Sequence, residues 1–162
     1  MADYIAGPYT VASSTGALGT TTPEGIKIEE EMFFEPIKPD QYGGNTMVDA
    51  VQTGKTVKAS WTFQEWNTAI KGKAFPETQG MLGAPGSLAK ATYSKYVRFI
   101  PTSDGVATDL YEFKYMIPSG GRSWNLNSKL RLLPFTGEAI MYTSSTVNKF
   151  YTTSVYTSGL TY

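Results

Sequence analysis

The sequence contains neither cysteine nor histidine in its 162 residues. Without histidine, no side chain has an unperturbed pKa near neutrality, and without either residue a transition metal lacks its usual protein ligands. These absences exclude serine triads, thiol enzymes and histidine-ligated zinc sites, so only carboxylate, lysine, tyrosine, magnesium or calcium chemistry is open to an enzyme. We therefore predict no enzymatic activity, no catalytic residue, no metal and no cofactor.

Long apolar runs and clusters of basic residues are also missing. No stretch approaches the ~18 apolar residues of a membrane span, and the first nine residues carry Asp3 with no basic stretch before an apolar one. We expect neither membrane insertion nor a signal peptide, and synthesis in the cytosol. The chain has only three arginines among its 14 basic residues and no basic cluster, which disfavours a nucleic-acid-binding protein of the usual basic kind.

Threonine, tyrosine and glycine are abundant, with 21, 11 and 16 copies. Threonine and tyrosine favour strands and glycine marks turns, while the length fits one domain. The sequence predicts a single domain over 1–162 of the mainly β class. We expect a small β-barrel or sandwich with one short α-helix and extended terminal arms and loops.

The two ends of the chain are predicted to be arms. Residues 10–22 are mostly Gly, Ser, Thr and Ala with little apolar periodicity, so 1–23 is predicted to be an N-terminal arm, either a flexible tail or a segment that orders on a neighbouring subunit. Residues 144–162 form a last strand or a second arm. The β core is expected over 24–143.

Two segments alternate with the period of a strand. Residues 24–35 place Ile26, Ile28, Met32 and Phe34 on one face, with Glu30 among them as the sign of a bulge. Residues 55–63 turn four apolar side chains inward, namely Val57, Ala59, Trp61 and Phe63. The spacing then changes to a helical one and predicts a helix over about 64–75.

The second half of the core is predicted to consist of a loop, a hairpin and two further strands. Residues 77–92 are expected to be a loop, and 93–100 and 110–117 to pair as a hairpin. Strands are also expected over 126–134 and 137–143.

Two short motifs favour ordinary turns over ligand sites. Thr53-Gly54-Lys55-Thr56 lacks the earlier glycine of a phosphate-binding loop and leads into a strand rather than a helix. Asp40, Asn45 and Asp49 lack the spacing of a calcium-binding EF-hand. Neither motif supports a nucleotide or metal site.

Charge is distributed unevenly along the chain. Residues 1–50 hold eight acids and two bases, a net charge of −6, so the remainder carries +6. Either these charges pair within the monomer, or they form a surface that attracts copies of the same chain.

The order of motifs from residue 24 to residue 76 resembles that of the tail tube proteins of long-tailed bacteriophages. An acidic strand follows Thr22-Pro23-Glu24-Gly25, then come Pro39-Asp40-Gln41-Tyr42-Gly43-Gly44-Asn45-Thr46 and Met47-Val48-Asp49-Ala50-Val51-Gln52-Thr53-Gly54, an alternating strand and a short helix. Residues 130–135 resemble a late strand of that family.

The resemblance implies a structural virion protein that self-assembles into hexameric rings, stacked head to tail into the tail tube that conducts DNA during ejection. It implies a location in the virion tail after synthesis in the host bacterial cytoplasm. The implied partners are further copies of the chain, the tape measure, tail terminator and baseplate proteins, and viral DNA that passes through the lumen without sequence-specific binding.

If the resemblance holds, an acidic lumen would repel DNA phosphates, and strand parity on the acidic strand makes Lys27, Glu29 and Glu31 the lumen candidates. The following loop gives the inter-ring candidates, which are Asp40, Gln41, Tyr42, Asn45 and Thr46. The arm over residues 4–22 is a further inter-ring candidate.

Three alternatives remain open on sequence alone. Another virion part of the same fold, such as a tail terminator, would share the architecture. A carbohydrate-binding β-sandwich module would need Trp61, Trp66 and Trp124 to line a groove, and strand parity disfavours Trp61. A carboxylate-dependent glycosidase is disfavoured by the few acids and the short chain.

Overall fold

The structure, a computed structural model, describes residues 8–14, 16–64, 94–102, 109–119 and 132–155. These residues form nine strands and one 3₁₀ turn at Asp40–Tyr42. The strands are β1 (Tyr9–Ser13), β2 (Gly16–Ile37), β3 (Asp49–Phe63), β4 (Lys95–Pro101), β5 (Asp109–Pro118), β6 (Leu133–Ala139), β7 (Tyr142–Ser144), β8 (Val147–Lys149) and β9 (Thr152–Val155). The predicted mainly β class is confirmed.

Six of the strands form a closed antiparallel barrel. The hydrogen-bonded order is β4-β1-β2-β3-β6-β5, and β5 pairs back onto β4, so the sheet returns to its first strand. The short β9 pairs with β5 over Asp109–Glu112, on a part of that strand that β6 does not use. Strands β7 and β8 form a separate two-stranded hairpin.

The barrel interior is filled by side chains of alternating strand residues. The prediction for residues 55–63 is confirmed, because Val57 and Ala59 are fully buried and Trp61 is only 5% exposed. The Trp61 ring stacks on Phe135 at 4.3 Å and meets Phe99 edge-on at 4.9 Å between centroids. Such aromatic contacts add to the free energy gained by burying these large side chains.

The N-terminal residues belong to the barrel rather than to an arm. Strand β1 lies between β2 and β4 and pairs with both, and Tyr9, Val11 and Ala12 are buried. The Tyr9 amide also donates a 2.9 Å hydrogen bond to the buried Thr21 hydroxyl. The interpretation of 1–23 as an extended arm is therefore wrong over residues 9–13 and 16–23, because few apolar side chains suffice where a strand has neighbours on both sides.

Strand β2 bends where Thr-Pro-Glu-Gly interrupts it. Thr21 pairs with Phe63 and Ile26 pairs with Trp61, so four residues of β2 stand opposite a single residue, Thr62, of β3. Gly25 takes a φ of 74°, a left-handed conformation that glycine adopts without a steric penalty. A bulge of this kind changes the direction of the strand.

Beyond the barrel, β2 and β3 continue as a two-stranded ribbon, defined here as residues 32–54. The predicted strand over 24–35 exists, but Met32 and Phe34 are exposed and not inward-facing as expected, since the barrel ends before them. No bulge occurs at Glu30, which pairs with Val57 in register. The irregularity lies instead between Phe33 and Phe34, where Thr53 of β3 is the extra residue.

The later strands agree with expectation in pairing and differ in their boundaries. Strands β4 and β5 form the predicted hairpin. Strand β6 runs over Leu133–Ala139 and so spans parts of both segments predicted as separate strands, 126–134 and 137–143. The predicted helix over 64–75 lies outside the described residues apart from Gln64, as does the loop over 77–92.

Candidate self-association surface

The ribbon has two open edges. Strand β1 pairs with β2 only as far as Thr20, and β6 pairs with β3 only from Lys58 onward. Along the ribbon, no other strand within the described ranges pairs with the outer edge of either β2 or β3. Open edges present unsatisfied N–H and C=O groups, which are a template for pairing with another chain.

Both faces of the ribbon carry exposed apolar side chains. The bulge at Thr53 and the strand register place Met32 and Phe34 on one face and Phe33, Ile37 and Val51 on the other. Together with Tyr42, Met47 and Val48 of the tip, these are eight of the eleven large apolar side chains that are exposed in the described part of the chain. Exposed apolar side chains concentrated in one part of a soluble protein mark an interaction site.

The tip of the ribbon is held by its own backbone hydrogen bonds. The Tyr42 and Gly43 amides donate to the Pro39 and Asp40 carbonyls at 3.2 and 3.0 Å, and the Val48 amide donates to the Ile37 carbonyl at 3.0 Å. All five inter-ring candidates, Asp40, Gln41, Tyr42, Asn45 and Thr46, lie in this tip and are exposed. The structure therefore brings them together at the end furthest from the barrel.

The lumen candidates Lys27, Glu29 and Glu31 lie on one exposed face of β2, as parity predicted. Lys27 and Glu29 form a 2.6 Å ion pair, and the Lys27 ammonium holds the pKa of the Glu29 carboxyl below its usual value by a hydrogen bond and by its charge. Lys58 stands directly opposite Glu29 in the sheet. This face consequently alternates in charge and is not purely acidic.

A cluster of four side chains lies at the base of the ribbon, and we call it the base cluster: Glu30, Lys55, Phe150 and Tyr151. The Lys55 ammonium is 2.8 Å from the Glu30 carboxylate and 6.0 Å from the Phe150 ring centroid. The Tyr151 hydroxyl donates a hydrogen bond to Glu30, and both contacts lower the pKa of the Glu30 carboxyl. The hydrogen bond to Glu30 and burial raise the pKa of Tyr151 to about 12.

A groove of about 280 Å³ opens beside the bulge in β2. Its lining includes Thr22 and Trp61, whose hydroxyl and indole N–H are buried without a hydrogen-bond partner. Trp61 presents no open ring face for a sugar, because it packs among Phe63, Phe99 and Phe135. Trp66 and Trp124 lie outside the described residues.

Two kinds of feature are absent from the described residues. They contain no group of three or more carboxylates placed to hold a metal ion. In that same part of the chain, no helix has the length and apolar character needed to cross a membrane.

Sequence reasoning missed the second face of the ribbon and the base cluster. Phe33 and Phe34 are adjacent, so they point to opposite faces of a strand, and this pair was a local signal that both faces are apolar. The contact between Glu30 and Tyr151 had no local signal, because these residues are far apart in the chain.

Comparison with known proteins adds no assignment. No family model matches the chain, and no curated protein matches its sequence.

Proposed function

We propose that this protein is a structural virion protein that self-assembles into closed rings, stacked head to tail into the tube of a phage tail. The observation that carries the proposal is the ribbon, which has two open edges and apolar side chains on both faces. An isolated two-stranded hairpin is marginal in water. The six residues from Met32 to Ile37 extend about 20 Å at ~3.4 Å per residue, and pairing with another copy would stabilise them.

Pairing between ribbons favours a ring. The outer edge of β2 in one copy can pair with the outer edge of β3 in the next, and because β2 and β3 run in opposite directions, the joined sheet stays antiparallel. This contact is head to tail, since it joins two different edges. Head-to-tail contacts generate a closed ring when the rotation between copies closes.

In such a ring the exposed face of β2 below the ribbon and the tip of the ribbon have different roles. The face of Lys27, Glu29 and Glu31 continues the outside of the barrel and would line a channel, where its alternating charges offer no continuous basic surface for DNA to bind. The tip residues Asp40–Tyr42, Asn45 and Thr46 would contact the next ring. Hexameric symmetry and passage of DNA follow from the resemblance to phage tail tube proteins.

The test compares assembly of the wild type with that of Phe34→Ser/Val51→Ser. These side chains are 56% and 55% exposed on opposite faces of the ribbon, so their loss should leave the monomer folded and prevent assembly. Val147→Ser is a matched control, because Val147 is 54% exposed on the β7–β8 hairpin. Electron microscopy and sedimentation read out assembly, and circular dichroism reads out folding.

We expect six-fold rings and hollow tubes from the wild type and the control, and monomers from the double variant at the same concentrations. Single rings that never stack would favour a tail terminator over a tube protein. A wild type that stays monomeric at high concentration and in the presence of preformed tube ends would contradict the proposal, as would normal tubes from the double variant.

A further inference from the structure

The base cluster lies where the ribbon leaves the barrel. Glu30 pairs with Val57, which is fully buried, whereas the next residue on the same face of β2 is Met32, which is 49% exposed. Lys55 pairs with Met32, so the ion pair between Glu30 and Lys55 joins diagonal neighbours on the two strands of the ribbon. The cluster therefore lies where β2 passes from the barrel into the exposed ribbon on this face.

The other half of the cluster is anchored in the barrel wall. The Tyr151 ring lies 5.3 Å from the Phe113 ring and 6.2 Å from the Tyr111 ring, both on β5, and Tyr151 immediately precedes β9, which pairs with β5. Its hydroxyl reaches from this position to Glu30. Phe150 is in turn placed against the Lys55 ammonium. The C-terminal segment thus connects the wall formed by β5 to both strands of the ribbon.

The chemistry of the cluster suits a directional contact. Among the β2 residues Ile26, Ile28, Glu30 and Met32, which share one face, Glu30 alone is charged, and it accepts hydrogen bonds from an ammonium and a phenol. The Lys55 and Glu30 side chains are 23% and 30% exposed, so water screens the pair less than it screens an exposed one. Hydrogen bonds to a charged group are shorter, stronger and more restricted in geometry than apolar contacts.

We propose that Tyr151, Glu30 and Lys55 are positioning residues for self-assembly, which fix the direction of the ribbon relative to the barrel so that its edges meet those of the next copy. This inference rests on the proposed function. Ring closure requires one angle between copies, and a ribbon that swings about its base would present its edges at many angles. Ordering the ribbon before contact also lowers the entropy cost of association.

Tyr151→Phe tests the inference, because it removes the hydroxyl and keeps the ring that packs on Phe113 and Tyr111. Tyr96→Phe is the matched control: it removes a hydroxyl that accepts a 2.9 Å hydrogen bond from Arg98 Nε on β4. The chain has no cysteine, so Thr46→Cys at the ribbon tip and Lys114→Cys on β5 accept two spin labels specifically. Pulsed electron resonance on dilute monomers then measures the distribution of tip-to-barrel distances.

We expect Tyr151→Phe to widen that distribution at least twofold and to raise the threshold concentration for assembly at least fivefold. Tyr96→Phe should change neither, and the melting temperatures of the two variants should fall by similar small amounts. An unchanged distribution in Tyr151→Phe overturns the inference. If the wild type does not assemble, the proposed function fails, and the distance distribution still decides whether the cluster orders the ribbon.

Discussion

At the residue scale, Gly137 lies where the barrel core leaves no space for a larger side chain. A Cβ added at this position would lie 2.6 Å from Met116 Cγ, and Met116 is itself buried in the core. We predict that Gly137→Ala lowers the free energy of unfolding by about 1–3 kcal/mol, the usual effect of overpacking a close-packed core. Urea unfolding of the monomer measures it.

Gly54→Ala is the control for this prediction. Gly54 is also a strand glycine, but an added Cβ would meet only the Phe33 ring at an ordinary contact distance of 3.6 Å. The alanine at position 54 should leave the unfolding midpoint nearly unchanged. Equal effects at the two positions would show that the loss of glycine in a strand, and not the contact with Met116, determines stability.

Individual residues show how far sequence reasoning extends at this scale. The exposure of Lys27 and Glu29 and the burial of Val57 followed from alternation, which is a local property of an extended chain. The partner of Glu30 did not follow. A carboxylate on an apolar face requires a partner, but the sequence does not say that the partner is Tyr151, because only folding brings the C-terminal segment to the ribbon base.

At the scale of elements, β1 is predicted to be essential to the monomer. Val11 is fully buried in the core, and its strand lies between β2 and β4 and pairs with both. We predict that Val11→Asp prevents cooperative folding at 25 °C, because it places an unpaired carboxylate among apolar side chains. Thermal circular dichroism and one-dimensional NMR measure the outcome.

Ser14→Asp is the comparison for this element, since Ser14 is exposed in the turn between β1 and β2. It should fold as the wild type does. If Val11→Asp also melts cooperatively at the wild-type temperature, β1 is dispensable, and the first residues behave as the arm that their composition suggested.

The ribbon shows why element boundaries and element environments are separate problems. The alternation of residues 24–35 predicted a strand, and a strand is present. The same alternation implied one inward face, and Ile26 and Ile28 are partly buried against the core, whereas Met32 and Phe34 are exposed. Alternation within one strand does not indicate where the barrel ends. The end of the barrel depends on which other strands pair with β2 and β3.

At the scale of the whole molecule, the raised pKa values of three tyrosines predict that the stability of the fold decreases at alkaline pH. Burial, followed by the charges of Tyr111 and Asp109, raises the pKa of Tyr9 to about 12, and burial with Glu112 raises the pKa of Tyr96 to about 12. The hydrogen bond to Glu30 does the same for Tyr151. Their unperturbed pKa is 10.0, so the folded protein holds these protons more tightly than the unfolded chain does.

A raised pKa contributes stability that is fully present below pH 10 and is lost as the pH rises towards 12. We predict a fall in the free energy of unfolding over this interval, with about 2 kcal/mol from Tyr9, which is almost wholly buried. Urea unfolding at pH 8, 10 and 11.5 measures the fall. Tyr9→Phe should show a shallower decline, and an identical decline in that variant would contradict the assignment to Tyr9.

The sequence by itself determined the mainly β class, the inward set of β3 and the pairing of β4 with β5, because side-chain alternation and turn residues act over a few neighbouring positions. Only the tertiary structure decided that β1 lies inside the closed barrel, that the ribbon extends beyond it, and that Tyr151 meets Glu30. These features depend on contacts between distant parts of the chain. A strand that is bordered on both sides needs few apolar residues, and one that extends past its neighbours leaves its apolar residues exposed.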